Sequence, residues 1–508
     1  MNTRTQVQPP QTGDFRHDAT DVAIITAKEN QMFHPQGLLH LADEAVGGRL
    51  RAFVELGDFT GKLKNTSLFY PESNGAITVL RLLLAGLGAC DEFTVERARQ
   101  VYGHALKQAR DMGLKTATIP IPADASEALI QAIVEASLLS LYKFTPHKTV
   151  LLADEKKQLE SLRFLAASEA SLPSVARAVG RGEAIAGGTI LARDVSNQPA
   201  NHLTPTKLAE KAENVAAENG LRCEVFDKAA LEEKGFRTLL AVAQGSSEEP
   251  RFIILEYIPE GEEEQQKPVV LVGKGITYDT GGISLKPAKG GMMDLMKHDM
   301  GGAAAVLGAM QAIGQLKPGV RVIGVIAAAE NMPSGTAIKP GDVFTSYGGK
   351  TIEILNTDAE GRLILADALG WTAQYTPQGV VDLATLTGAV ITCLGHVAAG
   401  AMGTDVALMD KVKAAAEKTH ERVWELPLWD DYDEGIKSKV ADVQNIGDGT
   451  AGTIAGGAFL KKFAENYPWV HLDIAGTGFK VGAGSSYIPE EGATGYGVRL
   501  LVQLVLEW

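Results

Sequence analysis

The chain has 508 residues, 45% of them hydrophobic and 22% charged. That is the make-up of a globular protein too long for one hydrophobic core, so two domains are expected. A net charge of −14 argues against broad adhesion to nucleic acid or anionic lipid, and Cys90, Cys223 and Cys393, which have no paired spacing, fit a reducing, cytoplasmic compartment.

Residues 1–19 are mostly polar, carry Pro9-Pro10 and lack the apolar run of a secretory signal or membrane span, so they read as a disordered tail. A smaller N-terminal α/β domain is expected over residues 20–170. Its elements are a strand at Asp21–Thr26, a buried element within Val79–Cys90, helices at Glu92–Met112 and Ala125–Leu141, and a strand at Thr149–Ala153. The Ala-, Val- and Ile-rich pattern over 171–197 predicts a connecting helix that ends at Asn197-Gln-Pro-Ala-Asn201.

A larger C-terminal α/β domain is expected over residues 198–508. Strands are predicted at Arg251–Leu255 and Pro268–Val272, on either side of an acidic turn at 260–267, and at Val320–Ile326 and Gly379–Ala384. Their near-continuous apolar runs suit a central mixed, mostly parallel sheet buried on both faces. Helices are expected at Gly301–Ile313, Arg362–Tyr375 and Ala451–Phe463. In such sheets ligands bind at the carboxyl ends of the strands.

Chemistry-bearing residues gather in three segments. Val272–Pro287 sets Lys274, Asp279 and Lys286 among glycines; Met296–Gly302 puts Asp299 just before a helix; and Asn356-Thr-Asp-Ala-Glu-Gly-Arg-Leu363 carries Asp358, Glu360 and Arg362. Each has a plainer reading: a turn for Gly273-Lys-Gly275, a helix cap for Asp299, and a capped acidic helix start for Asn356–Glu360. If the four carboxylates converge, cations must neutralise them, and the charge count suggests two divalent ions with Lys274 ligating only as a neutral amine. Asp358 and Glu360, two apart in extended chain, point to one side. Oxygen-rich ligation without thiolate suits Mn²⁺, Zn²⁺, Mg²⁺ or Co²⁺, and water on such ions supplies a nucleophile at neutral pH. The sequence has no His-Glu-x-x-His helix, no Gly-x-Ser-x-Gly elbow, no phosphate loop and no dinucleotide fingerprint. His298 reads as a neighbour of the site rather than a ligand.

These segments closely resemble the leucyl (cytosol) aminopeptidase family. Asn356–Leu363 matches its signature octapeptide, Lys274 to Lys286 with Asp299 match its other metal-site segments, and the likeness continues through Asp382–Gly388 and Trp469–Gly476. The resemblance implies that two metals, Mn²⁺ or Zn²⁺ foremost, are bound by Lys274, Asp279, Asp299, Asp358 and Glu360, with Asp279 and Glu360 shared. It gives Lys286 the scissile carbonyl and oxyanion, and Arg362 a bicarbonate acting as general base. Met296, Thr385 and Gly388 would line the first-residue pocket, the Leu386 backbone would contact substrate, and Asn356 would help position the peptide. The implied activity is removal of an N-terminal leucine or other apolar residue from short peptides by a cytoplasmic homohexamer, a dimer of trimers. Two departures, the long linker at Gly290–Met293 and His298 where an arginine or aromatic is familiar, bear on specificity. The alternative class is a DNA-binding regulator or scaffold on the same architecture, against which the acidic total counts.

Overall fold

The computed structural model describes residues 5–72, 77–261, 266–287, 290, 292–481 and 485–508. The chain divides into two compact units, the first comprising Met1–Ala186 with Ala483–Glu490 and the second Gly187–Gly482 with Glu491–Trp508.

The first unit is built on six strands: β1 (Gln6–Thr12), β2 (Val22–Ala27), β3 (Thr66–Phe69), β4 (Leu82–Gly86), β5 (Thr116–Pro120) and β6 (Ser161–Ala166). They are ordered β1-β6-β5-β2-β4-β3, and all neighbours are parallel except β3 and β4. Its helices are α1 (Leu38–Ala45), α2 (Arg49–Glu55), α3 (Val95–Asp111) and α4 (Glu127–Ser140), with α5 (Leu172–Asn197) running through the division into the second unit. Alternate residues of β2 feed opposite cores: Val22 and Ile24 join α3 and α4, while Ala23 and Ile25 join α1 and α2. That is why every residue of β2 is buried. Thr94 and Ser126 start α3 and α4 by accepting hydrogen bonds from the Arg97 and Leu129 amides.

Three expectations change here. Within the tail expected over residues 1–19, whose first four lie outside the described residues, Gln6–Thr12 is a strand that pairs in parallel with Ser161–Ala166, because that edge of the sheet offers a free ladder even to a polar strand. Thr149–Ala153 forms no strand and leaves Val150 and Leu152 exposed, since β6 takes the place beside β5. Residues 485–490, expected in the C-terminal domain, pack with the first unit, where the Tyr487 hydroxyl donates to the Glu96 carboxylate at 3.0 Å.

The second unit carries β7 (Arg222–Phe226), β8 (Arg251–Tyr257), β9 (Val269–Asp279), β10 (Val322–Asn331), β11 (Val343–Thr345), β12 (Thr351–Glu353), β13 (Gly379–Ala384), β14 (Ala399–Gly403), β15 (Val423–Glu425), β16 (Val443–Gln444), β17 (Trp469–Asp473), β18 (Phe479–Val481) and β19 (Glu491–Ala493). Eight of these form the central sheet, ordered β15-β14-β17-β13-β9-β10-β8-β7, with the middle four parallel and antiparallel pairs toward both edges. Around it lie α6 (Pro205–Asn219), α7 (Lys228–Lys234), α8 (Arg237–Ala243), α9 (Gly301–Leu316), α10 (Gly361–Thr372), α11 (Gly388–Leu394), α12 (Val406–Thr419), α13 (Gly452–Lys461) and α14 (Val498–Leu506). The parallel strands end at Asp279, Asn331, Ala384 and Asp473, and three of these four C-terminal residues are polar and buried. Among the described residues no helix is long and apolar enough to cross a membrane.

Candidate metal centre

The site is built where α9 meets β9. Lys274 lies within the strand rather than in a loop, with Gly273 and Gly275 on either side. A Cβ on Gly273 would stand 2.7 Å from the Ala303 Cα, and one on Gly302 would stand 2.0 Å from the Leu383 carbonyl oxygen. Gly273-Lys-Gly275 is therefore not a turn; its first glycine, with Gly302, lets α9 sit directly on the sheet. The loop after Asp279 folds back, Lys286 N donating to Thr280 O at 2.9 Å, through Gly281 (φ 86°) and Gly282 (φ 64°). Side chains there would strike Asp358 Oδ1 and Thr357 Oγ1.

Five sequence-predicted residues and Lys286 converge on this place. Lys274 Nζ lies 2.9 Å from Asp299 Oδ2 and 2.8 Å from Glu360 Oε1, and it donates to the Thr385 carbonyl at 2.8 Å. Lys286 Nζ lies 2.7 Å from Asp279 Oδ2 and 2.6 Å from Asp358 Oδ1. Oxygen atoms of Asp279, Asp358 and Glu360 all fall within 4.8 Å of one another. Asp299 Oδ2 and Asp358 Oδ1 are buried, and their close contacts are with the two ammonium groups. Four carboxylates share this space with two ammonium groups, leaving net negative charge, which is a donor set that fits hard divalent cations.

The protonation balance follows. Burial opposes charge on Lys274, but Asp299, Glu360 and Asp279 outweigh it and raise its pKa; Asp279 does the same for Lys286. Burial pushes Asp279 up to about 6, with Glu360 adding to the shift. Asp299 is raised well above the carboxylate range by burial, against the pull of Lys274. Glu360, equally buried, is nonetheless lowered because Lys274 and Lys286 both favour its ionised form.

Local geometry overturns two plain readings and one orientation argument. Asp299 does not cap α9, whose N-cap is Met300; its Oδ1 accepts the Thr385 hydroxyl at 2.7 Å. Asn356 does not cap α10, which starts after Glu360; its Oδ1 accepts the Asp358 amide at 2.8 Å. Residues 356–360 therefore turn rather than extend, and Asp358 and Glu360 meet through that turn, not through strand alternation. Arg362 is buried, donates to the Asn445 carbonyl at 2.7 Å and lies over the Phe459 ring, while its Nε has no partner. Burial lowers its pKa to about 10. Met296 is half-buried one turn before Asp299. Gly388 opens α11 with empty space where a side chain would be. His298 does face away from the carboxylates, stacking on Phe479 and bonding Ser196 Oγ at 3.2 Å.

Several supporting residues escaped the sequence reading. Asp473, fully buried, accepts the Leu386 amide at 3.1 Å and the Thr387 hydroxyl at 2.6 Å, and so fixes the backbone around Thr385. Asn445 holds the Leu355 amide and donates to the Asn356 carbonyl. Asn331 bridges the loops that carry Asp279 and Asp358. The one available signal was position: Asn331 and Asp473 are polar residues closing strands that are otherwise apolar.

Comparison with known proteins decides the family. Residues 190–502 match the cytosol aminopeptidase family, catalytic domain, and residues 24–150 match its N-terminal domain. The chain belongs to the cytosol aminopeptidase family. A probable cytosol aminopeptidase of Roseiflexus castenholzii is 44% identical over 98% of each chain, and one of Syntrophotalea carbinolica is 46% identical over 92% of this chain and 93% of its own. The bottromycin maturation enzyme BotP in complex with Mn superposes with a TM-score of 0.83 at 32% identity, covering 96% of this chain and 99% of that one. The protein is thus a metal-dependent aminopeptidase, a metallo-exopeptidase with the family's two-domain α/β fold.

Proposed function

We propose that the enzyme removes leucine or a similar apolar residue from the free N-terminus of short peptides with the help of two divalent ions. Lys274 and Asp299 would hold one ion, Asp358 the other, and Asp279 and Glu360 would serve both. Manganese or zinc is the natural occupant, with magnesium or cobalt as substitutes. The observation that carries this reading is the approach of Asp279, Asp358 and Glu360 to within 4.8 Å in a site where four carboxylates face only two ammonium groups. When bound, such a metal pair lowers the pKa of a coordinated water to about 7 and so supplies the hydrolytic nucleophile.

The chain's own residues do the rest. Lys286, kept charged by the carboxylates beside it, polarises the scissile carbonyl and steadies the oxyanion. Arg362 offers a buried Nε–H with no protein acceptor, the donor that a bicarbonate would take, and bicarbonate supplies a general base. Met296, Thr385 and Gly388 line the first-residue pocket; the Leu386 backbone and Asn356 position the peptide. Lys274 must shed a proton to ligate, so metal loading releases one. The working form is a cytoplasmic homohexamer, a dimer of trimers, and nucleic acid is not a partner.

Anomalous scattering at two metal edges, paired with hydrolysis of a leucyl anilide and its N-acetylated analogue, tests the reading. Two peaks among these carboxylates and turnover of the free amine alone are expected. A single peak, or cleavage of the blocked substrate, rejects the two-ion exopeptidase mechanism.

A further inference from the structure

Asn331 is the last residue of β10, and it stands directly opposite Asp279 in the parallel ladder with β9. It is buried, and its Nδ2 makes two hydrogen bonds: 2.8 Å to Asp279 Oδ1 and 2.9 Å to the Thr357 carbonyl. Both partners are acceptors only, so the amide nitrogen must be the atom that faces them. Asp279 Oδ1 also takes the Gly281 amide at 2.8 Å, which leaves Oδ2 as the oxygen turned toward Lys286 and the rest of the cluster. Thr357 precedes Asp358, and its carbonyl is held by the same amide group. On the other side, a Cβ at Gly282 would lie 2.7 Å from Asn331 Oδ1, so only glycine there leaves the amide its place.

We propose that Asn331 is a positioning residue for the metal centre, which rests on the two-ion reading above. One NH₂ group selects which Asp279 oxygen is presented and ties the loop of Asp279 to the loop of Asp358 and Glu360. It sets the spacing between ligands contributed by two separate stretches of chain. Partners that orient metal ligands typically contribute about 10- to 100-fold in metal affinity.

The test is calorimetric titration of demetallated full-length enzyme with Mn²⁺, accompanied by Co²⁺ absorption spectra, for wild type, Asn331→Ala and Asn331→Asp. The Ala variant is expected to bind Mn²⁺ about 10- to 100-fold more weakly, with a shifted Co²⁺ spectrum and an anilide activity that recovers in part as Mn²⁺ is raised. The Asp variant discriminates sharply. It is isosteric and adds negative charge, so general electrostatics predicts tighter cation binding, whereas loss of the donor against Asp279 Oδ1 and Thr357 O predicts weaker binding. Tighter or unchanged Mn²⁺ affinity in either folded variant overturns the proposal. Failure of both to fold does so as well, because Asn331 would then be a residue of the sheet rather than of the site. If Mn²⁺ titrates normally in wild type but shows only one ion per subunit, the two-ion reading falls while the role of Asn331 toward Asp279 is still decided by the variants.

Discussion

Gly361 opens α10 immediately after Glu360, and a Cβ there would lie 2.6 Å from both Cε and Nζ of Lys274 and 2.7 Å from its Cδ. Ordinary contact begins near 3.4 Å, so in a Gly361→Ala variant the lysine side chain must retreat by about 1 Å, which its flexible stem permits. The backbone has no such difficulty: Gly361 is not among the residues with positive φ, and alanine at a helix start is favourable by at most about 1 kcal/mol. The variant should therefore fold while the Nζ leaves Asp299, Glu360 and the Thr385 carbonyl, which it now holds at 2.8–2.9 Å. A misplacement of about 1 Å in a catalytic constellation costs about 100-fold, or about 2.7 kcal/mol of transition-state stabilisation. The assay is kcat/KM on a leucyl anilide at saturating Mn²⁺, with the urea midpoint followed by circular dichroism. Gly180→Ala is the control: Gly180 lies exposed in α5 with nothing within 4 Å of its would-be Cβ, so activity should not change. Wild-type kcat/KM in a folded Gly361→Ala variant would refute the assignment of Lys274 to the working site.

Lys286→Met should lower kcat by about 10²- to 10³-fold with little change in KM, checked by steady-state kinetics; an equal loss in KM would make Lys286 a ground-state binding group. Chelation should abolish turnover, and at metal concentrations about 100 times the Kd re-addition of Mn²⁺ should restore both activity and about 3 kcal/mol of stability. Asp473→Ala removes the acceptor of the Leu386 and Thr387 amides, so KM for a dipeptide should rise more than kcat falls. Burial, with Lys297 adding to it, holds the His298 imidazole down to about 4. The unfolded chain therefore takes up a proton below about 6.5 that the folded one excludes, and stability should fall by up to about 3 kcal/mol as pH drops from 6.5 to 4. Phe in place of His298 keeps the stack on Phe479 and should flatten that part of the urea midpoint against pH; an unaltered slope would discount burial of His298 as its source.

The parts of this fold legible beforehand are those whose signal is local. Buried strands such as β10 and β13 announce themselves by continuous apolar runs, and α3 and α4 by capping residues followed by amphipathic stretches. Gln6–Thr12 was illegible because a polar edge strand with two prolines becomes a strand only when a neighbour supplies its hydrogen bonds. Val150 and Leu152 misled for the converse reason: an apolar run forms a strand only where a sheet has a vacancy. At the site, charged residues in glycine-rich segments stood out, whereas Asn331, Asn445 and Asp473 did not, since their importance lies in contacts that span 26 to 90 residues of sequence.

The two lysines explain how so acidic a nest can exist in a folded chain at all. Four carboxylates from three stretches of chain, three of them buried, would drive one another's pKa values up and the loops apart. Lys274 and Lys286 each stand between a pair of them, one within a strand and one at the end of the turn that follows it. They neutralise half of the charge before any cation arrives and hold the donor oxygens close, so the loops need not be gathered by the metal itself. The half they leave unmatched, four carboxylates against two ammonium groups, is what draws the cations in. Replacing either lysine by an uncharged residue thus removes more than a ligand or an electrophile: it leaves buried like charges facing each other, which is why Lys286→Met must be assayed at saturating metal before its loss of kcat is read as loss of oxyanion stabilisation.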